Sequence, residues 1–417
     1  MLPIFLLKRA KYAAGFWQRM GYLPEFTQNE KPVLWIHCVS VGETNAAKPL
    51  VEELKKRFPA FSIIISTTTK TGQELAQNIF KNTAETIFYF PFDWKFTVNR
   101  ALKHFQPKAV LIMETELWFN FIREANKSGA FIALVNGRLS EKSVRNYSKI
   151  KSFIERVLRR VDLALMQNQA DAKRILQLGI RPSKVKVTGN IKFDQTSEKS
   201  ELTEVFRERF AFFQDAPLIV AASTHAPEEK WILEAFKKIF KNSNEKLPRL
   251  MLVPRHPERF DEVANLIKET GFEFVRRSQK ESESDKTAEI ILLDSIGELR
   301  AVYPIAELVF VGGSLIPHGG QSVLEPALNG KPVITGFYTM NFAAVVKEFL
   351  EKNALVQLPK LEENEIPDKL AEEFSKILKS DELRRNLGEN ALDVMNKNRG
   401  ATEKTLEYLE HFLESKL

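Results

Sequence analysis

The stretch "HCVSVGETNAAKPLVEELKKRF", from His37 to Phe58, contains an apolar run, a turn of small residues and an amphipathic segment. This order predicts a buried β-strand that leads directly into an α-helix. One carboxylate, Glu43, lies in the turn between Gly42 and Thr44. It is either an acidic residue that complements the helix N-terminus, which contributes about 0.3–1 kcal/mol, or the base of an enzyme.

The same alternation of apolar runs and helical segments continues along the chain and predicts parallel sheets with crossover helices. The strand candidates of the first half are residues 33–39, 61–66, 86–90, 109–113, 131–135, 163–166 and 185–189. Those of the second half are residues 218–223, 249–254, 272–275, 290–293, 307–313 and 332–335.

The polar stretch "QTSEKSELT", residues 195–203, separates the two halves and has the composition of a linker. We therefore predict an N-terminal α/β domain over residues 1–198 and a C-terminal one over residues 199–417. The expected fold is a pair of Rossmann-like, doubly wound domains that face each other across a cleft. In such sheets, ligands bind at the carboxyl ends of the strands.

The composition narrows the class of protein. A net charge of +7 and a pI near 9.1 favour an acidic partner: nucleic acid, a phosphorylated metabolite or an anionic membrane surface. The single cysteine, Cys38, excludes an intrachain disulfide framework. The sequence has neither a P-loop nor a G-x-G-x-x-G motif after its first strand, and no Cys/His set has zinc spacing. Aromatic residues do not alternate with Lys and Arg as they do in platforms for single-stranded nucleic acid.

The N-terminus starts with the apolar run "MLPIFLL", which is far shorter than the roughly 20 residues that span a bilayer. Basic residues follow among aromatic and aliphatic ones, namely Lys8, Arg9, Lys11 and Arg19. This pattern predicts either a basic amphipathic segment at a membrane surface or a first helix that packs on its own domain.

Charged residues follow four of the predicted strands in the first half. They are Glu43, Glu114 with Glu116, Arg138, and Lys192, and we expect them at one rim of the sheet. In an extended segment Glu114 and Glu116 would face the same way, which favours a basic partner or a bound ligand. A helix N-terminus rich in acidic residues is the plain structural alternative.

The second half carries signals of an anion site. Arg255 and His256 follow one strand, and glycine pairs occur at residues 312–313 and 319–320. Glycine lets a backbone approach a ligand closely, and an arginine can form a charge-assisted contact with phosphate. Glu325 can accept hydrogen bonds from a ribose diol. Together these features favour a nucleotide-phosphate site.

Nine motifs in this order carry a resemblance to a known family: "HCVSVGE", "METELW", "NGRLS", "TGNIKFD", "STH", "PRHPERF", "IGELR", "FVGGSL" and "GGQSVLEPA…GKPVITG". From about residue 10 to about residue 350 the chain resembles the 3-deoxy-D-manno-octulosonic acid (Kdo) transferases of Gram-negative lipopolysaccharide synthesis. The resemblance implies the GT-B glycosyltransferase fold. It also implies transfer of Kdo from CMP-Kdo to a lipid A precursor at the cytoplasmic face of the inner membrane, with no nucleic-acid partner and no metal.

The resemblance also implies roles for individual residues. Glu43 would be the general base, and Glu114 and Lys192 would assist the transition state. CMP would be bound by Pro254, Arg255, Ile296, Gly297, Glu298, Ser322, Val323, Leu324 and Glu325. Further substrate contacts are expected at Ser40, Gly42, Arg138, Ser223, Thr224, His225, Gly312, Gly313, Ser314 and Gly320.

Two features depart from the family pattern. Gln321 and Ser322 stand where the family usually has histidine and asparagine, so backbone groups would have to make the contact assigned to Ser322. The family often starts with a membrane-spanning helix, whereas only the short apolar run "MLPIFLL" stands here, so we expect either peripheral binding or a shortened membrane anchor. Alternatives are a transferase that uses a UDP-sugar, a UDP-sugar epimerase of the same architecture, and a non-enzymatic binder of lipids or nucleotides.

Overall fold

The structure is a computed structural model that describes residues 14–27, 30–195, 201–211, 216–241 and 247–416. The apolar start and the basic residues Lys8, Arg9 and Lys11 lie outside the described residues. The chain forms two compact units. The first contains the described residues up to Asp194 and those from Asn398 onwards, and the second is Gln195–Lys397.

The first unit is built on seven parallel strands in the order β3-β2-β1-β4-β5-β6-β7. The strands are β1 (Val33–Cys38), β2 (Ser62–Thr67), β3 (Thr86–Tyr89), β4 (Pro107–Met113), β5 (Phe131–Gly137), β6 (Leu163–Met166) and β7 (Val185–Val187). Every residue of β1, β2 and β5 is buried, as expected for a parallel sheet covered on both faces. The strand order reverses direction between β1 and β4, so the predicted ligand position lies there.

Helices cover both faces of this sheet. They are α1 (Phe16–Arg19), α2 (Val41–Arg57), α3 (Lys70–Ile79), α4 (Lys95–Phe105), α5 (Phe119–Lys127), α6 (Glu141–Ser148), α7 (Lys151–Leu158), α8 (Gln169–Gln177) and, from the end of the chain, α18 (Ala401–Glu414). Trp35 and Phe105 belong to the core on one face, and Leu34 and Leu406 to the core on the other. A 3-10 turn, Ile191–Asp194, follows β7.

The second unit repeats the plan with seven parallel strands in the order β10-β11-β9-β8-β12-β13-β14. They are β8 (Leu218–Thr224), β9 (Arg249–Pro254), β10 (Phe274–Arg276), β11 (Ile290–Leu292), β12 (Leu308–Val311), β13 (Val333–Thr335) and β14 (Val356–Gln357). Here the strand order reverses between β8 and β12. Both predicted doubly wound α/β sheets are therefore confirmed.

The helices of the second unit vary widely in length. They are α9 (Glu201–Phe206), α10 (Glu228–Lys241), α11 (Phe260–Thr270), α12 (Ser284–Thr287), α13 (Leu299–Val302), α14 (Leu324–Leu328), α15 (Ala343–Glu351), α16 (Ile366–Leu378) and α17 (Asp381–Asn398). None of the helices in the described part of the chain combines the length and the apolar character needed to cross a bilayer.

The end of the chain differs from the expected domain division. We assigned all of residues 199–417 to the C-terminal domain, but α18 packs on the first unit. Leu406, Leu409 and Leu413 are buried in its core, and the Asp194 carboxylate accepts the N–H of Gly400 at 2.7 Å at the start of the helix. Amphipathic spacing shows that α18 has an apolar face but not which sheet that face covers.

Candidate active site

Glu43 lies in the first turn of α2, directly after β1, at the point where the first sheet reverses its order. The residue is only 5% exposed. Its Oε2 accepts the Val39 N–H at 2.7 Å, and its Oε1 accepts the Ser40 hydroxyl at 3.2 Å. Burial, followed by the negative charge of Glu114, raises the pKa of Glu43 from 4.5 to about 8. Burial therefore outweighs the helix N-terminus and the Val39 N–H, which would both lower the pKa of an exposed carboxylate.

Glu114 lies at the end of β4, on the other side of the same reversal. Its Oε1 accepts Lys192 Nζ at 3.0 Å and its Oε2 accepts Arg138 Nε at 2.6 Å. Burial alone would raise the pKa of Glu114, but the positive charges of Lys192 and Arg138 outweigh it and hold that pKa below its usual value. Glu114 is therefore a fixed negative charge beside Glu43.

The segment from Glu114 to Glu116 is not extended, so the condition for the two carboxylates to face the same way is not met. Glu114 has a left-handed backbone with φ of 56°, so the chain turns between them. Glu114 forms ion pairs with Arg138 and Lys192, the kind of basic partner that repulsion between the carboxylates predicted. Burial and the charge of Glu114 raise the pKa of Glu116.

One residue that the sequence analysis did not assign, Asn136, connects these groups. It is fully buried at the end of β5 and has a left-handed φ of 55°. Its Oδ1 accepts the Ile191 N–H at 3.1 Å, directly before Lys192, and its carbonyl accepts Gln167 Nε2 at 3.0 Å. Asn136 thus ties β5 to the turn that carries Lys192. An asparagine followed by glycine at a strand end is the sequence signal that could have pointed to it.

Of the other predicted residues in this unit, Ser40 precedes α2 and Gly42 is within its first turn. A Cβ at Gly42 would meet only the Ser40 hydroxyl, at 3.9 Å, so packing does not require glycine there. Lys192 is on the 3-10 turn after β7. The structure therefore brings Glu43, Glu114, Arg138 and Lys192 together at one rim of the sheet, as predicted.

The predicted residues of the second unit lie at the carboxyl ends of its strands. Arg255 directly follows β9 and is exposed, and its guanidinium has no hydrogen-bond or ion-pair partner among the described residues. Ile296 is 79% exposed, which leaves an apolar surface beside Gly297, whose φ is 87°. A free cation and an exposed apolar side chain are suited to a phosphate and a base, respectively.

The two acidic residues expected to contact CMP already have arginine partners. Glu298 accepts Arg277 through both carboxylate oxygens, at 3.1 and 3.0 Å. Glu325 accepts Arg300 twice on Oε1, at 3.0 and 2.8 Å, and no described residue contacts its Oε2. Oε2 of Glu325 is therefore the atom open to a ribose hydroxyl.

Several other predicted contacts can be made only through the backbone. The side chains of Val323 and Leu324 are buried in the core. The Ser314 hydroxyl donates to the Val311 carbonyl at 2.5 Å and accepts the Gly336 N–H at 2.8 Å, so its single proton is already used within the protein. The Ser322 hydroxyl accepts the Leu324 N–H at a long 3.4 Å.

A buried carboxylate, Glu228, organises the glycine loop after β12. Its two oxygens accept the N–H groups of Gly313, Ser314 and Leu315 at 2.7–3.0 Å, as well as that of His225 at 3.0 Å. Gly312 and Gly313 must stay small because a Cβ at Gly312 would lie 2.7 Å from the Ser223 carbonyl, and Gly313 has φ of 65°. Glu228 is the first residue of α10, so this helix start holds the glycine loop through side-chain hydrogen bonds.

Known proteins are similar to this chain over nearly its full length. The model of a family described as 3-deoxy-D-manno-octulosonic-acid transferase (kdotransferase) matches residues 14–195. A 3-deoxy-D-manno-octulosonic acid transferase from Haemophilus influenzae is 36% identical over 99% of this chain and 95% of its own length. One from Bordetella pertussis is 29% identical over 99% of this chain and 96% of its own.

Solved structures resemble this one in fold. The UDP-GlcNAc 2-epimerase from Neisseria meningitidis, bound to UDP-GlcNAc, has a TM-score of 0.60 and covers 91% of this chain at 14% identity. At that identity the likeness shows only the GT-B architecture of two doubly wound sheets. The sequence similarity therefore favours the transferase over the UDP-sugar alternatives.

Proposed function

The chain belongs to the family of Kdo transferases, and from this premise we propose that it transfers Kdo from CMP-Kdo to a phosphorylated lipid A precursor with inversion at the anomeric carbon. As a member of this family, the chain is a glycosyltransferase. In the proposed reaction an acceptor hydroxyl attacks the anomeric carbon, its proton passes to a base, and CMP leaves with the electron pair of the broken bond.

The observation that carries the proposal is the position of Glu43, which is only 5% exposed and lies next to the fixed negative charge of Glu114, so that its pKa is raised to about 8. A general base is most effective when its pKa lies near the working pH. The pKa of Glu43, about 8, lies near physiological pH, whereas an exposed carboxylate has a much lower pKa and would be too weak a base.

Glu114 would act through its charge. The transition state of glycosyl transfer resembles an oxocarbenium ion by analogy with glycoside hydrolysis, so a fixed carboxylate stabilises it. Lys192 and Arg138 keep Glu114 ionised and oriented. In the second unit, Arg255 would stabilise the negative charge that develops on the leaving phosphate. The proposed step uses no bound cofactor or metal.

Charge and exposed apolar side chains support an acceptor at an anionic membrane surface. Residues 138–160 contain eight lysines and arginines and two glutamates, a net charge of +6, whereas the whole chain carries +7. Ile150 and Phe153 are exposed within the same segment, which includes α6 and α7. We propose peripheral attachment at the cytoplasmic face of the inner membrane.

Substitution of Glu43 by glutamine tests the assignment of the base. We expect Glu43→Gln to lower the rate of Kdo transfer by about 10²-fold or more, since a positioned base contributes about 10²–10⁴-fold. The rate is measured by mass spectrometry of the lipid after incubation with CMP-Kdo, and CMP affinity, measured by calorimetry, should stay within about twofold.

Glu53→Gln is the matched control, because Glu53 lies on the same helix away from the site and pairs with Lys56 and Arg57 of that helix. It should transfer Kdo like the wild type. Transfer by Glu43→Gln at the wild-type rate would refute Glu43 as base, and binding of UDP or UMP in preference to CMP would refute the proposed donor.

A further inference from the structure

Three histidines meet where the second sheet reverses its strand order. His225 follows β8, His256 follows β9, and His318 lies in the loop after β12. The His225 ring centroid is 4.2 Å from that of His318 and 5.3 Å from that of His256. In doubly wound sheets this is the position at which a ligand binds.

The hydrogen bond of His225 determines which ring nitrogen carries the proton. Nδ1 lies 3.1 Å from the Ser223 carbonyl oxygen, and a carbonyl oxygen can only accept. Nδ1 is therefore the donor, and Nε2 of the neutral ring has a free lone pair. Burial, together with His318 and His256, lowers the pKa of His225 from 6.5 to about 4, so the ring is neutral near pH 7.

Nε2 of His225 is buried and has no hydrogen-bond partner in the described part of the chain, and the residue as a whole is only 6% exposed. Two buried hydroxyls at strand ends of the same sheet, Thr224 Oγ1 of β8 and Thr335 Oγ1 of β13, also have no partner among the described residues. Buried polar groups in proteins are generally satisfied, and those that are not point to a missing water or ligand.

The ring is held in place by its surroundings. Ser223 has a left-handed φ of 55°, which is strained for a residue other than glycine, and the His225 N–H donates to the buried Glu228. By contrast, His318 is exposed and is followed by Gly319 and Gly320, with φ of 104° and 77°. The His225 ring is therefore fixed, whereas the His318 ring beside it is on the surface.

We propose that His225 Nε2 accepts a hydrogen bond from a hydroxyl group of the sugar carried by the nucleotide donor. A neutral lone pair cannot bind an anion, and Arg255 is the nearby group for phosphate or carboxylate. A hydroxyl group, in contrast, can donate a hydrogen bond to the lone pair of Nε2. This inference rests on the proposed function and specifies how the donor site distinguishes the sugar from the nucleotide.

The test separates the sugar from the nucleotide with two variants. His225→Asn can still donate to the Ser223 carbonyl but has no acceptor at the position of Nε2, whereas the longer His225→Gln can place its amide oxygen there. We expect the Asn variant to raise the KM for freshly prepared CMP-Kdo about 10-fold or more, because a buried partner is left unpaired. CMP affinity by calorimetry should stay within about twofold, and the Gln variant should recover most of the KM.

His411→Ala, an exposed histidine of α18, is the control and should behave like the wild type. An unchanged KM in the Asn variant would overturn the inference, and so would an equal loss of CMP affinity, because the ring would then act on the nucleotide or on the fold. Thermal unfolding of both variants checks that they fold. If the wild type neither binds CMP nor uses CMP-Kdo, the proposed function fails instead.

Discussion

Glu43 shows how the surroundings of one residue determine its chemistry. At an exposed helix start, a carboxylate is a stabilising residue with a low pKa. Here only 5% of the residue is exposed, and the ionised Glu114 lies nearby. Both effects favour the protonated form and convert a helix-start residue into a base that titrates near physiological pH.

The pH dependence of the rate should report this titration. Glu43 must be ionised to accept a proton, so kcat/KM should rise with pH up to a pKa of about 8. In Glu114→Gln the neighbouring negative charge is gone, so the midpoint of the rise should move to lower pH even though the rate is reduced. A midpoint that does not move would show that Glu114 does not set the pKa of Glu43.

The same shift has a consequence for stability. Between the usual pKa of 4.5 and the folded value of about 8, the folded chain holds a proton that the unfolded chain has lost. Stability from this group therefore falls as pH rises through that range. Glu43→Gln should raise the melting temperature relative to wild type more at pH 8 than at pH 5. Equal differences at both pH values would contradict a raised pKa.

At the scale of single residues, the sequence predicted which side chains gather at the rim but not their protonation. "SVGE" and "METE" follow apolar runs, which places Glu43 and Glu114 at strand ends. The pKa values depend on burial and on Lys192, which is distant in sequence, and no local pattern reveals them. Likewise, the Ser223 carbonyl determines which ring nitrogen of His225 keeps its lone pair, because it accepts the proton on Nδ1.

At the scale of elements, three left-handed residues other than glycine mark the ends of the strands next to the sites. Glu114 follows β4, Asn136 ends β5 and Ser223 lies in β8, with φ of 56°, 55° and 55°. Such conformations cost about 1–3 kcal/mol each and persist where the surrounding structure enforces them. The strands were predictable because continuous apolar runs need two covered faces, but the backbone turns that aim each side chain were not.

The turn with Lys192 should depend on Asn136. Asn136→Ala removes the acceptor of the buried Ile191 N–H and replaces asparagine, which tolerates a positive φ, with alanine, which tolerates it less well. We therefore expect a loss of about 1–3 kcal/mol in unfolding free energy and a lower kcat. Asn136→Gly tolerates the backbone conformation and should recover part of the stability but not the rate. Urea unfolding and transfer assays measure the two effects.

Asn146→Ala provides the control, since Asn146 is an exposed residue of α6. It should change neither stability nor rate. If Asn136→Gly transferred Kdo as fast as the wild type, Asn136 would have no part in positioning Lys192.

At the scale of the whole molecule, each half of the sequence predicted its own sheet. The two-residue edge strand β14 was not predicted, and the position of α18 was wrong because its apolar face could cover either sheet. Its contacts are specific: Phe412 stacks on Phe131, with centroids 4.6 Å apart and ring planes at 16°. Specific partners of this kind arise from three-dimensional packing and cannot be read from periodicity.

The distribution of charge over the molecule leads to a prediction about the membrane. Because residues 138–160 carry +6 of the net +7, attachment to an anionic bilayer should depend on this segment and not on total charge. In the triple variant Lys142→Glu, Lys149→Glu and Lys151→Glu, we expect binding to vesicles with anionic lipid to fall about 100-fold or more, since each basic residue near the surface contributes about 1 kcal/mol. Cosedimentation with the vesicles measures this binding.

The control is a second triple variant in which the exposed Lys268, Lys347 and Lys352 of the second unit are replaced by glutamate, because it changes the net charge equally. If that control lost binding to the same extent, net charge alone would account for the attachment, and the segment would have no special role.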